Sequence, residues 1–502
     1  MRQRLPYFTI LLFLFIRFQG FAQDSTKIIL EYADSWEYDK ALGENTQRII
    51  GNVRLRHDST LMFCDSAHYD DYTNFVKAYG HVHIQVSDTL NIFGDTLFYN
   101  GNTKIARMMS HVKLIDNETI LTTDTLLYDR VTRIAQYHTG ATITNEKNRL
   151  TSIHGYYYTD QKLFYFHQKV VVTNPDNVMR SDTLRYNTVS RIAYFFGPST
   201  ITGKDDFIYC ENGWHNTKLD ISRFSKHAYV THKDQTLFGD SLYYDQKNGF
   251  GEAFRNVHLV DTVQDVVVTG EYGRYVKKKG YSFVTQHAMA IYIDNKDSLF
   301  MHADTLKATF DTSQTMKEIR AYYKAKFYRK DLQGMSDSMV YVAKDSILWL
   351  YKSPVLWTEK NQLTSDSISI SIHNNEADSL VLYNAAFIIS KDDTNYFNQI
   401  KGKLMIGYFH HNDLRKIKVF GNAETIYFVR EEDKSLIGVN KAISSDMLIF
   451  LRDNDMRTIT YIGKPDATMY PLKDLTPYDL RLRDFNWNED RRPMKKEDIF
   501  IW

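Results

Sequence analysis

"GDTLFYN", residues 94–100, decides how this chain is read, because close copies of it keep returning. "ADSWEYD" stands at 33–39, "CDSAHYD" at 64–70, "TDTLLYD" at 123–129, "SDTLRYN" at 181–187 and "GDSLYYD" at 239–245. Fainter copies begin at Ala303, Ser336, Ser365 and Ser445. The acid of the phrase marks a period. It falls at Asp34, Asp65, Asp95, Asp124, Asp182 and Asp240, and the last two gaps are 58 residues each, twice 29. Degenerate copies stand midway, from His154 and from Glu211, and two more from Glu271 and Gly402 bring the total to about fourteen units.

A second phrase keeps step with the first. It reads "GNVRLR" at 51–56, "GHVHIQV" at 80–86, "SHVKLI" at 110–115, "QKVVVT" at 168–173 and "RNVHLV" at 255–260. Both phrases alternate, which is the mark of strands with one buried face. In the first, Leu97/Tyr99, Leu126/Tyr128, Leu184/Tyr186 and Leu242/Tyr244 share the inner side. In the second, Val53/Leu55, Val112/Leu114 and Val170/Val172 do. Turn-like segments such as "NGNTK" and "DRVTR" lie between, and a kink is expected at the small residue that opens the second phrase. A pair of such strands cannot offset the entropy of its own ordering, so a unit folds only when stacked on its neighbours. The period therefore predicts one elongated all-β array over residues 23–470.

Bulk composition agrees. The 502 residues carry a formal charge of +1, which offers no basic excess for nucleic acid. Aromatic residues make up 14%, with 35 Tyr, while Pro (8) and Gly (23) are sparse, a bias toward strands. Arg2 and Arg4 precede the apolar run "FTILLFLFI" at 8–16, and small residues lead up to Gln23. That pattern predicts a signal peptide over residues 1–22 and an exported mature chain. Cys64 and Cys210 occupy equivalent slots five units apart, so the stacking model predicts no disulfide between them.

The chain offers no chemistry of its own. It has no HExxH, GxSxG, GxxxxGK[ST] or CxxC, and its 17 His are scattered along strand positions, with His410–His411 in a loop-like stretch. No catalytic residue, metal ligand or cofactor is expected. The marker acids, with the Ser or Thr after them, are expected to satisfy backbone donors where the chain enters a strand. After residue 470 the period stops, and residues 471–502, with three of the eight prolines, are expected to cap the array or to dock as a tail.

The stretch from "ADSWEYD" through "IIGNVRLRHDSTLMFCDSAHYD" resembles the repeat of the OstA-like (organic solvent tolerance) family. The shared features are the acid–small–apolar–x–Tyr–Asp phrase, then Gly-Asn-Val-x-Leu, a polar hairpin tip, and the acid phrase again. The resemblance implies an open, V-shaped antiparallel β-jellyroll with an apolar groove, joined end to end to other jellyroll components by strand pairing. It further implies a periplasmic bridge, associated peripherally with the outer membrane, that carries lipopolysaccharide or a related lipid toward an outer-membrane translocon. The groove lining would be Val53, Leu55, Leu97, Tyr99, Val112, Leu114, Leu126, Tyr128, Val170, Val172, Leu184, Tyr186, Leu242 and Tyr244. Two other architectures fit alternating strands: a closed parallel β-helix serving as a carbohydrate-active enzyme or adhesin, and a transmembrane β-barrel. Asp95 and His57 interrupt the apolar face that a membrane strand needs.

Overall fold

The computed structural model describes residues 26–502 apart from 39–42, 44, 294–296, 314, 374–375, 394, 411–412, 432, 434 and 453–454. The expected signal peptide, residues 1–22, and His411 lie outside the described residues. Thirty-six strands and a few short 3-10 turns make up the secondary structure, with no α-helix among the described residues. The described strand ladders are antiparallel, so the all-β antiparallel repeat is the fold and the parallel β-helix is not. Where one repeat domain is expected over 23–470, the strands gather into two compact units, Met1–Phe166 and His167–Trp502.

In the first unit each letter of the opening phrase has a structural task. Leu90–Asn100 is one strand, paired with Phe75–Gln85 and Ile105–Asp116. Gly94 points inward where the strands crowd: a Cβ there would stand 2.6 Å from Met108 Cγ. Small residues fill the same slot elsewhere, Cys64 and Thr123 in this unit, Ser181 and Cys210 in the other, all buried. Both cysteines are free, and burial pushes each thiol up to about 12. Leu97 and Tyr99 are inward and buried. Asn100 closes the phrase by accepting hydrogen bonds from the Asn102 and Thr103 amides at 2.9 and 3.1 Å, which folds the chain into its next strand. Asp70 and Asp129 do the same for their turns.

The kink expected at the second phrase is a β-bulge. Ile50 pairs with Ser66 and Val53 with Cys64, leaving Gly51 and Asn52 opposite the single residue Asp65. Both bulge residues have left-handed backbone, as do Gly80/His81 and Ser110/His111 in this unit and Lys226/His227, Arg255/Asn256 and Lys352/Ser353 in the other. Left-handed backbone costs a non-glycine residue roughly 1–2 kcal/mol. The marker acid offsets part of that cost. Asp34 accepts from Asn52 at 2.9 Å, Asp65 meets His81 at 2.8 Å and Asp95 meets His111 at 2.6 Å. Asp65 and Asp95 therefore stand mid-strand against a neighbouring bulge, where the sequence reading expected the acid at a strand entrance, while Asp34, Asp304 and Asp366 do stand just ahead of a strand. The bulge requires Asp65 and Asp95 there, because a twisted, left-handed step presents its side chain to the adjacent strand.

The second unit repeats this plan through Leu436–Arg452. Its end differs from a simple cap. Residues 471–502 run across the outward face of the sheet, held by buried polar side chains. Gln399 donates to the Leu480 carbonyl and accepts from the Leu482 amide, both at 2.8 Å. Gln362 does the same with Asn486 and Asn488, both at 2.7 Å. Arg492 donates to Gln333 at 2.8 Å, and Lys326 donates to the Ile501 carbonyl at 2.6 Å. Gln362 and Gln399 act as peptide mimics, so the tail is bound there through its backbone.

Candidate functional site

The inward faces of the strands form an apolar surface that repeats. Each bulge divides a strand into two arms. One arm carries an aliphatic row in the first unit: Leu55, Met62, Ile84, Ile92, Leu114 and Leu121, each directly opposite the next. The other carries Tyr69, Val76, Tyr99, Ala106, Tyr128 and Ala135, a large residue alternating with a small one. That alternation lets rings interlock without voids. Every residue of both rows is buried.

Polar contacts hold the two arms together at their tips. His57 ends the aliphatic arm of its strand and Tyr99 lies on the tyrosine arm three strands on, yet their rings meet edge-on at 5.6 Å. Arg130 donates to the Tyr99 hydroxyl at 2.6 Å, which leaves that hydroxyl to donate to His57 Nδ1 at 2.5 Å. His57 Nε2–H then donates to the Thr26 carbonyl at 2.8 Å, an assignment fixed by this network. Burial holds His57 below its ordinary 6.5, with the Thr26 carbonyl pulling the other way. Burial also works against the charge on Asp58, but Lys104 and Thr26 hold its carboxyl down at about 2. A second clasp repeats the three-strand offset. Asp116, fully buried, accepts from Tyr157 at 2.5 Å and from Lys162 at 2.6 Å. Burial, then Asp116, pushes the Tyr157 hydroxyl well above its usual range.

In the second unit the same rows are less filled. Ile208, Val230, Leu237, Leu259, Val268 and Ala290 lie opposite one another in the aliphatic arm, and all are half-buried. The tyrosine arm there reads His215, Ser222, Tyr244, Gly251, Tyr275, large against small as before, but with Ser and Gly where the first unit has Val and Ala. Tyr244 is 40% exposed, against 1% for Tyr99 in the equivalent slot. At the arm tips Asp206 bonds His232 at 2.5 Å and Gln235 bonds Asp261 at 2.8 Å, along one arm instead of across to the other. Further on the arms pack again around Phe327, Leu356, Met405 and Val419. A cavity of about 240 Å³ then lies between Tyr427, Val429 and Asn440 on one side and Met456, Arg457, Ile459 and Tyr461 on the other.

Of the inner residues named from the sequence, Val53, Leu55, Leu97, Tyr99, Val112, Leu114, Leu126, Tyr128, Val170, Leu184 and Leu242 are buried. Val172 and Tyr186 are half-buried, and Tyr244 is exposed. The sequence reading passed over Arg130, Asp116 and Lys162, whose only signal was a charged residue at the end of an otherwise alternating strand. No group of three or more His, Cys, Asp or Glu among the described residues is placed to hold a metal ion.

These bulged hairpins have a counterpart among known proteins. Residues 25–182 match the family model described as OstA-like protein. The marker-acid and bulge pairing continues beyond this stretch, through residues such as Asp240/Asn256 at 3.0 Å and Asp337/Lys352 at 3.0 Å. Among solved structures, one match is the crystal structure of LptH from Pseudomonas aeruginosa, described as the LptA-homologous periplasmic component of the conserved lipopolysaccharide transport device. It is 15% identical, with a TM-score of 0.22, over 22% of this chain and 93% of that one; at that score the likeness carries no structural argument. Among curated proteins none matches the chain.

Proposed function

We propose that the exported chain is a lipid-binding bridge of the cell envelope, which takes the acyl chains of lipopolysaccharide or a related lipid against its inner face. The observation that carries this reading is the half-buried aliphatic row Ile208–Val230–Leu237–Leu259–Val268, in a chain whose first repeats are OstA-like. The relative named above is a periplasmic component of lipopolysaccharide transport, and the predicted signal peptide suits the same compartment. Each buried methylene is worth ~0.8 kcal/mol, so an acyl chain of a dozen carbons loses on the order of 10 kcal/mol if it crosses water alone. A row repeating similar side chains offers it successive sites of similar energy. The fourteen inner residues named from the sequence are the proposed lining, with the half-buried row as the place where lipid reaches it first.

The edges support partners of the expected kind. Ile29–Tyr32 and Ser35–Tyr38 pair with Thr46–His57 and expose Tyr32, Trp36 and Tyr38, an edge ready to accept a strand from another jellyroll component or from an outer-membrane translocon. A transmembrane barrel needs its apolar side outward. Here Arg54, Arg107 and Lys113 face out from the first unit while the apolar rows face in.

The test is photo-crosslinking in cells with a benzophenone residue at Leu237, Leu259 or Leu97. Light-dependent adducts that react with antibody to lipopolysaccharide are expected, strongest at Leu237 and Leu259. No lipid adduct at any of the three, with no lipid A co-purifying by mass spectrometry, would refute the proposal.

A further inference from the structure

The bulges obey a pairing rule, in which an acid on one strand faces a donor on the next. Asp65 faces His81, Asp95 faces His111, Asp34 faces Asn52, and in the second unit Glu211 faces His227 at 3.0 Å. A different polar pair crosses the strands beside one bulge of the first unit. Ser152 and Thr123 both pair with Ala141, so His154 holds the slot just after the marker acid's, the one Thr183 holds in the other unit, and it faces His138 as Thr183 faces His167. Their Nδ1 atoms are 3.3 Å apart, while the ring centroids lie 5.4 Å apart with the planes tilted by 56°. The rings splay outward and the two nitrogens converge.

Two converging imidazole nitrogens are poor partners for each other. They can share a single proton only if the two rings hold opposite tautomers, and protonating both sets like charges in contact. They suit an ion instead. A tetrahedral zinc ion with bonds of ~2.0–2.1 Å holds two ligand nitrogens about 3.3–3.4 Å apart. Tyr156, edge-on to His138 at 6.2 Å, steadies that ring. We propose that His138 and His154 form a two-imidazole site for a late first-row divalent metal such as Zn²⁺. His138 is exposed and no third His, Cys, Asp or Glu among the described residues is placed to join, so water completes the coordination and the ion exchanges with solvent. Imidazole ligands favour this class of metal over Mg²⁺ or Ca²⁺.

The experiment is isothermal titration of the full mature chain with Zn²⁺, paired with nitrogen hyperfine splitting in the Cu²⁺ EPR spectrum. His138→Asn and His154→Asn keep a polar side chain at each of these strand positions, and an unchanged melting temperature checks that the fold is preserved. One Zn²⁺ per chain and two equatorial nitrogens are expected in the parent. Either substitution should abolish the one-site isotherm and reduce the splitting to one nitrogen, while His81→Asn changes neither. Absence of stoichiometric binding in the parent, or binding that survives both substitutions as an adventitious ion elsewhere, overturns the site.

Discussion

Leu114 and Leu259 hold the same place in the repeat, yet the first is sealed and the second half-open. The backbone does not account for the difference, since both stand on bulged strands with the same register shift. What differs is the facing arm. In the first unit the tyrosine arm sets Tyr99 and Tyr128 between Ala106 and Ala135, all buried. In the second it runs through an exposed Tyr244, Gly251 and a half-buried Tyr275. The tips differ too, bonded across the arms in the first unit and along one arm in the second. The same repeat thus seals its inner rows in one unit and leaves them half-buried in the other, with the small members of the tyrosine arm and the bonding at the tips as the differences that accompany it.

The clasp at Asp116 is the strongest place to break that contrast. Lys162→Met leaves a fully buried carboxylate without its cation, and removal of one member of a buried pair costs about 3–5 kcal/mol. Hydrogen exchange by mass spectrometry should show peptides of residues 105–158 losing protection, with those of residues 206–276 unchanged. Equal loss in both would mean that the clasp does not close the first unit in particular.

Truncating the paired leucines sharpens the comparison. Leu114→Ala removes a sealed side chain and should cost about 3–4 kcal/mol, cavity included. Leu259→Ala removes a side chain already partly in contact with water, so a smaller cost of about 1 kcal/mol is expected. Denaturant midpoints read for each unit by exchange will decide, and equal costs would show that the second interior is as dry as the first.

Much of this was legible in the sequence and some was not, for physical reasons. A period of two inside a period of 29 is a strong signal because every strand must satisfy the same sheet, so Leu97, Tyr99, Val112 and Leu114 could be named as inward from alternation alone. The inner slot shared by Cys64 and Cys210 was visible as an equivalence, though its crowding against the neighbouring strand was not. Closure depends on which residues meet across the arms, as with His57 and Tyr99, 42 residues apart. Alternation along one strand does not carry that offset. The tail was likewise visible as a break in period. Its docking was not, because Gln362 and Gln399 read as ordinary outward polar residues until a backbone lies on them.

The smallest effect expected is on acid stability, and it separates buried from exposed histidines. The folded pKa of His57 lies below its unfolded 6.5, so its contribution is complete above about pH 6.5 and is lost as pH falls below that value. Asp58, held at about 2 against an unfolded 3.8, contributes above about pH 3.8 and loses that contribution as pH falls through 2. His81 and His111 are raised by their hydrogen bonds to Asp65 and Asp95, so their contribution has the opposite sign, present below 6.5 and lost as pH rises through the folded value. Both are fully exposed and screened by solvent, so the buried group should dominate. The first unit should therefore lose exchange protection between pH 7.5 and pH 5. His57→Gln, which has no charge to gain, should flatten that loss while His81→Asn leaves it in place. A flat profile in the parent, or one unchanged by His57→Gln, would show that protonation of the clasp does not govern how the arms are held together.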